Sequence, residues 1–183
     1  MTGEPAHGEE AADAALIERW RDGDERAATA LVARHAPALA RFAANLGARD
    51  DVEELVQDTF VRAFSSHDSF RGESSLRTWL FTIERRLLLD RRRTERRRRE
   101  VMGVDVNAAT SEYDPLDRVV AAETEARLRE AVGGLTATQR EVFTLRVTEG
   151  LSYREIAGIV GSTEGAARVH YHNAMRAVKE YLS

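Results

Sequence analysis

Cysteine is absent from the chain, which excludes disulfides, thiol catalysis and cysteine-rich zinc sites. Any redox sensing would have to belong to a partner. No stretch approaches the roughly 20 apolar residues of a membrane span, and the acidic "MTGEPAHGEEAADAA" has no apolar core segment. A cytoplasmic protein with no direct membrane insertion is therefore expected. Proline occurs only three times, and no strand-like alternation persists. Lysine is limited to Lys179, so nearly every cation is an arginine.

What is present is apolar spacing at three and four residues, which predicts an all-α fold. With 183 residues, 43% of them hydrophobic, the chain suffices for one domain or two small ones. Charge is unevenly placed. The segment Arg85 to Arg99 holds nine arginines against two acids, a local +7 in a chain of net −4, which leaves −11 for the remainder. Such separation marks a surface for polyanions.

Residues 1–12 are expected to form a disordered tail. Residues 13–46 read as two helices broken near "RDGDE". In "RDDVEELVQDTFVRAF", Asp50 stands three residues before Glu53, as in a capping box. Val52, Leu55, Val56, Thr59, Phe60 and Ala63 then form an apolar stripe opposite Glu53, Glu54, Gln57, Asp58 and Arg62. A turn-rich loop, "SSHDSFRGESS", precedes "LRTWLFTIERRLLLDRRR", where Leu76, Leu80, Ile83 and Leu87 fall within about 60° on a helix. Trp79 lies near this stripe and is expected in the core. Residues 101–122 read as a flexible linker; with Glu100 they carry five acids and one arginine. Residues 123–183 form a second helical domain in which eight basic and eight acidic residues cancel.

Within that domain, Thr136 with Gln139 and Ser152 with Glu155 form capping boxes. Val142, Phe143, Leu145 and Val147 are expected as core. Gly161 and Ser162 break one helix and Thr163 starts the next, a helix-turn-helix pattern whose second helix normally enters the major groove. Ala167, Tyr171, Ala174 and Val178 share its buried side, which exposes Arg168, Val169, His172, Asn173 and Arg176 to bases and phosphates. His170 and His172 point about 200° apart on a helix and cannot share a metal ion. No nucleophile–base pair, glycine-rich phosphate loop or carboxylate–histidine cluster presents itself, so neither an enzyme nor a cofactor is expected.

The segment "LTATQREVFTLRVTEGLSYREIA" with the helix-turn-helix resembles region four of bacterial sigma factors. "DDVEELVQDTFVRAF…FRGESSLRTWLFTIERRLLLDRRR" is similar to their region two. With nothing resembling the intervening third domain, the resemblance is to the extracytoplasmic-function (ECF) group of the sigma-70 family. It implies a sigma region 2 domain over 13–100 and a sigma region 4 domain over 123–183, acting with core RNA polymerase (its β′ clamp helices and β subunit), promoter DNA and an anti-sigma factor. The polymerase-binding residues it implies are Glu54, Gln57, Asp58 and Arg62. For the minus-ten element it implies the loop Ser65 to Ser75, with Phe70 as aromatic contact or core anchor. A basic face of Phe81, Arg85, Leu88 and Arg92 lies opposite the apolar stripe, suited to a melted strand; Arg96 to Arg99 would contact phosphate without sequence preference. For the minus-thirty-five element the residues are Thr163, Arg168, Val169, His172, Asn173 and Arg176. The chain departs from the family pattern in "IERR", where Glu84 and Arg86 replace small and amide residues, and at His170 and Asn173. An operator-binding helix-turn-helix dimer and a protein-binding adaptor remain alternatives, separated from a sigma factor by run-off transcription with core enzyme.

Overall fold

Capping chemistry sets most helix boundaries in this chain. A computed structural model describes residues 4–48, 51–66, 70–102 and 121–183, and among the described residues there are eight α-helices and no strand. The first is α1 (Glu4–Arg21), so the tail expected over residues 1–12 is helical from Glu4 onward. Asp13 on α1 is buried because it accepts from Arg34 at 3.2 Å and pairs with His35 Nε2 at 2.9 Å, both on the next helix. The turn between them uses Gly23 at φ +91°, a conformation that suits glycine. Asp24 then caps α2 (Glu25–Asn45) by accepting from the Arg26 amide.

Helix α3 (Val52–Ser65) buries Leu55, Val56, Thr59, Phe60 and Ala63, the expected stripe. Its start differs from the expected capping box. The N-cap is Asp51 and makes no side-chain capping bond, because its carboxylate lies 3.4 Å from Arg91 instead; Asp50 lies outside the described residues. Ser75 caps α4 (Leu76–Val101) by accepting from the Thr78 amide. Of the linker expected over 101–122, Val101 belongs to α4 and Ala121 begins α5 (Ala121–Gly133); 103–120 lie outside the described residues.

Both capping boxes of the second domain form, opening α6 (Ala137–Val147) and α7 (Tyr153–Val160). Gly161, left-handed at φ 70°, ends α7, and Thr163 caps α8 (Glu164–Leu182). Val147, expected in the core, is exposed at the last residue of α6. Ala131, Leu135, Phe143, Ala174 and Val178 form a small core of α5, α6 and α8.

The larger core is shared by both domains. Leu39, Phe42, Leu55, Leu80 and Phe81 belong to the same apolar cluster as Val142, Leu145, Ile156 and Ile159. Helix α4 is the junction, packing against α2 and α3 on its own side and α7 on the other. The helix expected to bury one stripe therefore buries more than one face.

Candidate nucleic-acid interface

The helix-turn-helix presents its outer face as expected. On α8, Ala167, Ala174 and Val178 are buried, while Arg168, Val169, His172 and Arg176 are exposed. Thr163 is exposed, but its hydroxyl accepts from the Ala166 amide at 3.2 Å as the helix cap. Asn173 is half-buried and accepts from Arg176 at 3.3 Å. Arg168 pairs with Glu164 one turn earlier at 3.1 Å. These side chains form one patch of donors and an apolar member of the kind that fits base edges.

A second patch lies on α3. Glu54, Gln57 and Arg62 are exposed and Asp58 is half-buried. Arg91 of α4 reaches Asp58 at 2.5 Å, Glu54 at 3.2 Å and Asp51 at 3.4 Å. Burial pulls the Arg91 guanidinium down, but the hydrogen bond to Asp58 and the charges of Glu54, Asp58 and Asp51 outweigh it and hold it above its ordinary value. Arg91 thus ties two of the expected contact residues in place, a role the sequence could not show because the partners are up to 40 residues apart. Val61 is 57% exposed beside this patch. It is an apolar residue off the buried stripe.

The basic face of α4 is where structure and expectation part. Phe81 is fully buried, edge-on to Phe42 of α2 at 5.1 Å, with the Arg77 guanidinium 5.7 Å from its ring centre. Leu88 is buried as well. Neither is available to stack on a base in this arrangement, because α2 packs against α4 on that side. Arg85 is mostly buried in an ion pair with Glu141 of α6 at 2.8 Å. Arg92 is exposed but donates to the Leu46 carbonyl. The expected open basic face is therefore covered, partly by α2 and partly by the second domain.

The cover is acidic. Glu149, after α6, accepts from Arg77 at 2.5 Å and from Arg41 of α2 at 3.2 Å, with its own side chain fully shielded from solvent. Glu155 of α7 accepts from the Thr78 hydroxyl at 3.2 Å. Of the arginines that the charge pattern had assigned to phosphate, Arg85 is thus held by a carboxylate of the second domain, Glu141, while Arg41 and Arg77 lie outside that run. Arg96 to Arg99 stay exposed; Arg96 pairs with Glu100 and Arg99 with Glu95, each at 3.0 Å. Phe70 is half-buried against Trp79 at 5.1 Å, and its carbonyl accepts from Arg21, so here it acts as a core anchor. It also lines a groove of about 830 Å³ between α1, the loop before α4, and α7.

Glu84 sits among these residues and was not expected as a feature of the site. It is fully buried, and neither carboxyl oxygen has a hydrogen-bond partner. Burial first, and the nearby charge of Glu149 second, push its carboxyl up to about 9 from an ordinary value of 4.5. It is therefore a neutral acid at pH 7. Among the described residues, no helix is long and apolar enough to cross a membrane.

Comparison with known proteins follows the same two-part division. Sigma-70 region 2 matches residues 31–98, and Sigma-70, region 4 matches residues 125–178. The ECF RNA polymerase sigma-E factor of Haemophilus influenzae is 29% identical over 183 residues, spanning 95% of this chain and 97% of that protein. The RNA polymerase sigma factor CnrH of Cupriavidus metallidurans is 35% identical over 161 residues, 83% of this chain and 84% of the relative. Among solved structures, CnrH in complex with the cytosolic domain of CnrY superposes with a TM-score of 0.70 at 30% identity, covering 93% of this chain and 97% of that one. The sigma factor RpoE of Bartonella quintana in complex with the anti-sigma factor NepR gives 0.69 at 29% identity, over 84% and 95%. Two such modules in this order define a transcription initiation factor of the sigma-70 class. The chain belongs to the extracytoplasmic-function group of that family.

Proposed function

We propose that this protein acts in the cytoplasm as a dissociable specificity subunit that brings core RNA polymerase to particular promoters and helps open the duplex. The observation that carries this reading is the outer face of α8, where Arg168, Val169, His172 and Arg176 stand exposed on a helix capped by Thr163 and set off from α7 by the Gly161 turn. That face is assigned to the minus-thirty-five element. The α3 patch of Glu54, Gln57, Asp58 and Arg62 is assigned to the β′ clamp helices. Residues 13–100 then serve polymerase and minus-ten contacts, 101–122 link, and 123–183 serve the minus-thirty-five contact. An anti-sigma factor is the proposed antagonist, supported by the relatives whose structures hold one. The test is run-off transcription with purified core polymerase. Transcripts that start at defined sites only when this chain is added are the expected result; specific duplex binding by the chain alone, with no transcription, would overturn the proposal.

Core association should depend on α3. Gln57→Ala combined with Asp58→Arg removes one polar contact and reverses a charge beside Arg91. Co-purification with core polymerase should fall about tenfold or more, with helical content unchanged, since a charge reversal in a complementary interface costs on the order of 1.4 kcal/mol or more. Equal recovery of the variant would refute the α3 assignment.

Minus-ten opening requires Arg85 to exchange Glu141 for a phosphate. Replacing Arg85 and Arg92 with alanine should leave holoenzyme assembly intact and reduce open-complex formation, followed as permanganate reactivity of promoter thymines. Normal reactivity would exclude this face from the melted strand.

A further inference from the structure

Tyr153, the first residue of α7, is half-buried where α6, α7 and α8 meet. Two guanidinium groups lie over its ring: that of Arg146 at 4.9 Å and that of Arg168 at 5.1 Å from the ring centre. Both distances fall inside the roughly 6 Å range of a cation–π contact. The ring is itself braced by Tyr171 of α8, edge-on at 5.8 Å. Arg146 is further fixed by donating to the Leu151 carbonyl at 2.7 Å. Arg168 differs, because its side chain is 56% exposed and its other restraint is the surface pair with Glu164.

An exposed arginine explores many rotamers, and reading a base edge with both arms of the fork requires one of them. A face of π-electron density beside the guanidinium selects the rotamers that lie against it. Base edges approach a guanidinium in its plane, so stacking on a ring leaves the hydrogen-bonding edge free. The salt bridge to Glu164 supplies a second restraint, but a surface pair of this kind is weak and screened by salt.

We infer that Tyr153 is a positioning residue for promoter recognition: its ring pre-orients Arg168 for a single base pair of the minus-thirty-five element. This rests on the proposal that α8 reads that element. Tyr153 need not touch the base pair; its effect passes through Arg168. The expected contribution is about two- to fivefold in discrimination, the equivalent of an exposed cation–π contact.

The experiment uses holoenzyme built from the full chain and core polymerase, selecting from a promoter fragment with a randomised minus-thirty-five region. Arg168→Ala should erase the base preference at one position. Tyr153→Leu should soften the preference at that same position by about two- to fivefold and leave the others unchanged, whereas Tyr153→Phe, which keeps the ring, should restore it. In an Arg168→Ala background, Tyr153→Leu should have no further effect. A uniform loss across all positions, or an equal loss with and without Arg168, would make Tyr153 structural and overturn the inference. If Arg168→Ala left every preference intact, the assignment of α8 as reader through this arginine would fail first, and that outcome is distinct. A measurement independent of variant folding is the NMR shift of the Arg168 Cδ protons in the unaltered chain. An upfield ring-current shift is expected, and ordinary random-coil positions would overturn the inference.

Discussion

At pH 8, Glu84→Gln should melt about 10 °C above the parent protein, and the difference should shrink to a few degrees at pH 5. The native chain holds a proton on Glu84 up to about 9, whereas an unfolded chain releases it near the ordinary 4.5. Between those values the native state binds more protons than the unfolded state, so the stability of the parent falls as pH rises through the window. At pH 8 the burial of this carboxyl costs on the order of 3 kcal/mol, taken below the full linkage value because glutamine leaves a buried polar group of its own. Glutamine has no proton to release, so its contribution is flat across the same range. Thermal melts followed by circular dichroism at several pH values check this; a gap that stays constant from pH 5 to pH 8 would mean that Glu84 does not carry the proton. Because Glu149 on the second domain contributes to the shift, separation of the domains lowers the affinity of Glu84 for its proton. Domain docking should accordingly weaken as pH rises.

Glu149→Ala should loosen the two domains and cost about 2 kcal/mol of stability. Breaking a buried ion pair by removing one partner typically costs about 3–5 kcal/mol. The lower figure applies here because Arg41 is half-exposed and Arg77 retains 28% of its side-chain surface, so both regain water readily. The change also removes the negative charge beside Glu84 and leaves Arg41 and Arg77 without this carboxylate. Small-angle scattering should record a larger radius of gyration, and single-stranded DNA should bind the free chain more tightly as Arg77 and Arg85 become available. An unchanged radius together with unchanged DNA affinity would exclude Glu149 as a clasp between the domains.

These two glutamates illustrate what was hard to see in advance. An acidic residue on an amphipathic helix reads as solvent-facing, yet Glu84 stands one turn from Leu80, Phe81, Leu87 and Leu88, at the edge of the apolar stripe. Its burial follows from α4 being packed from several sides. The same two-sided packing hides Phe81 and Leu88, which helical geometry places opposite the Leu76, Leu80, Ile83 and Leu87 stripe. Burying one such aromatic side chain stabilises by about 2–3 kcal/mol, more than an exposed basic face gains without DNA. Val147 failed as a core residue for a related reason: a hydrophobic type at the end of a helix does not determine which way that last turn faces.

The amino-acid sequence alone determined the features governed by neighbours within one helical turn. The capping boxes of Thr136 with Gln139 and Ser152 with Glu155, the left-handed Gly161 turn, the α3 stripe and the exposed side of α8 all depend on contacts three or four residues apart, where side-chain chemistry dictates geometry directly. Only the tertiary structure decided that Arg85 meets Glu141, 56 residues away, and that Arg41 meets Glu149, 108 residues away. No local pattern encodes such pairs, because an arginine attracts phosphate and carboxylate alike and the choice is made by which surface packs against it. The run of arginines thus announced an affinity for anions, and the packing of the second domain on α4 supplied one of them, Glu141 on Arg85, while α3 supplied the acids that Arg91 holds.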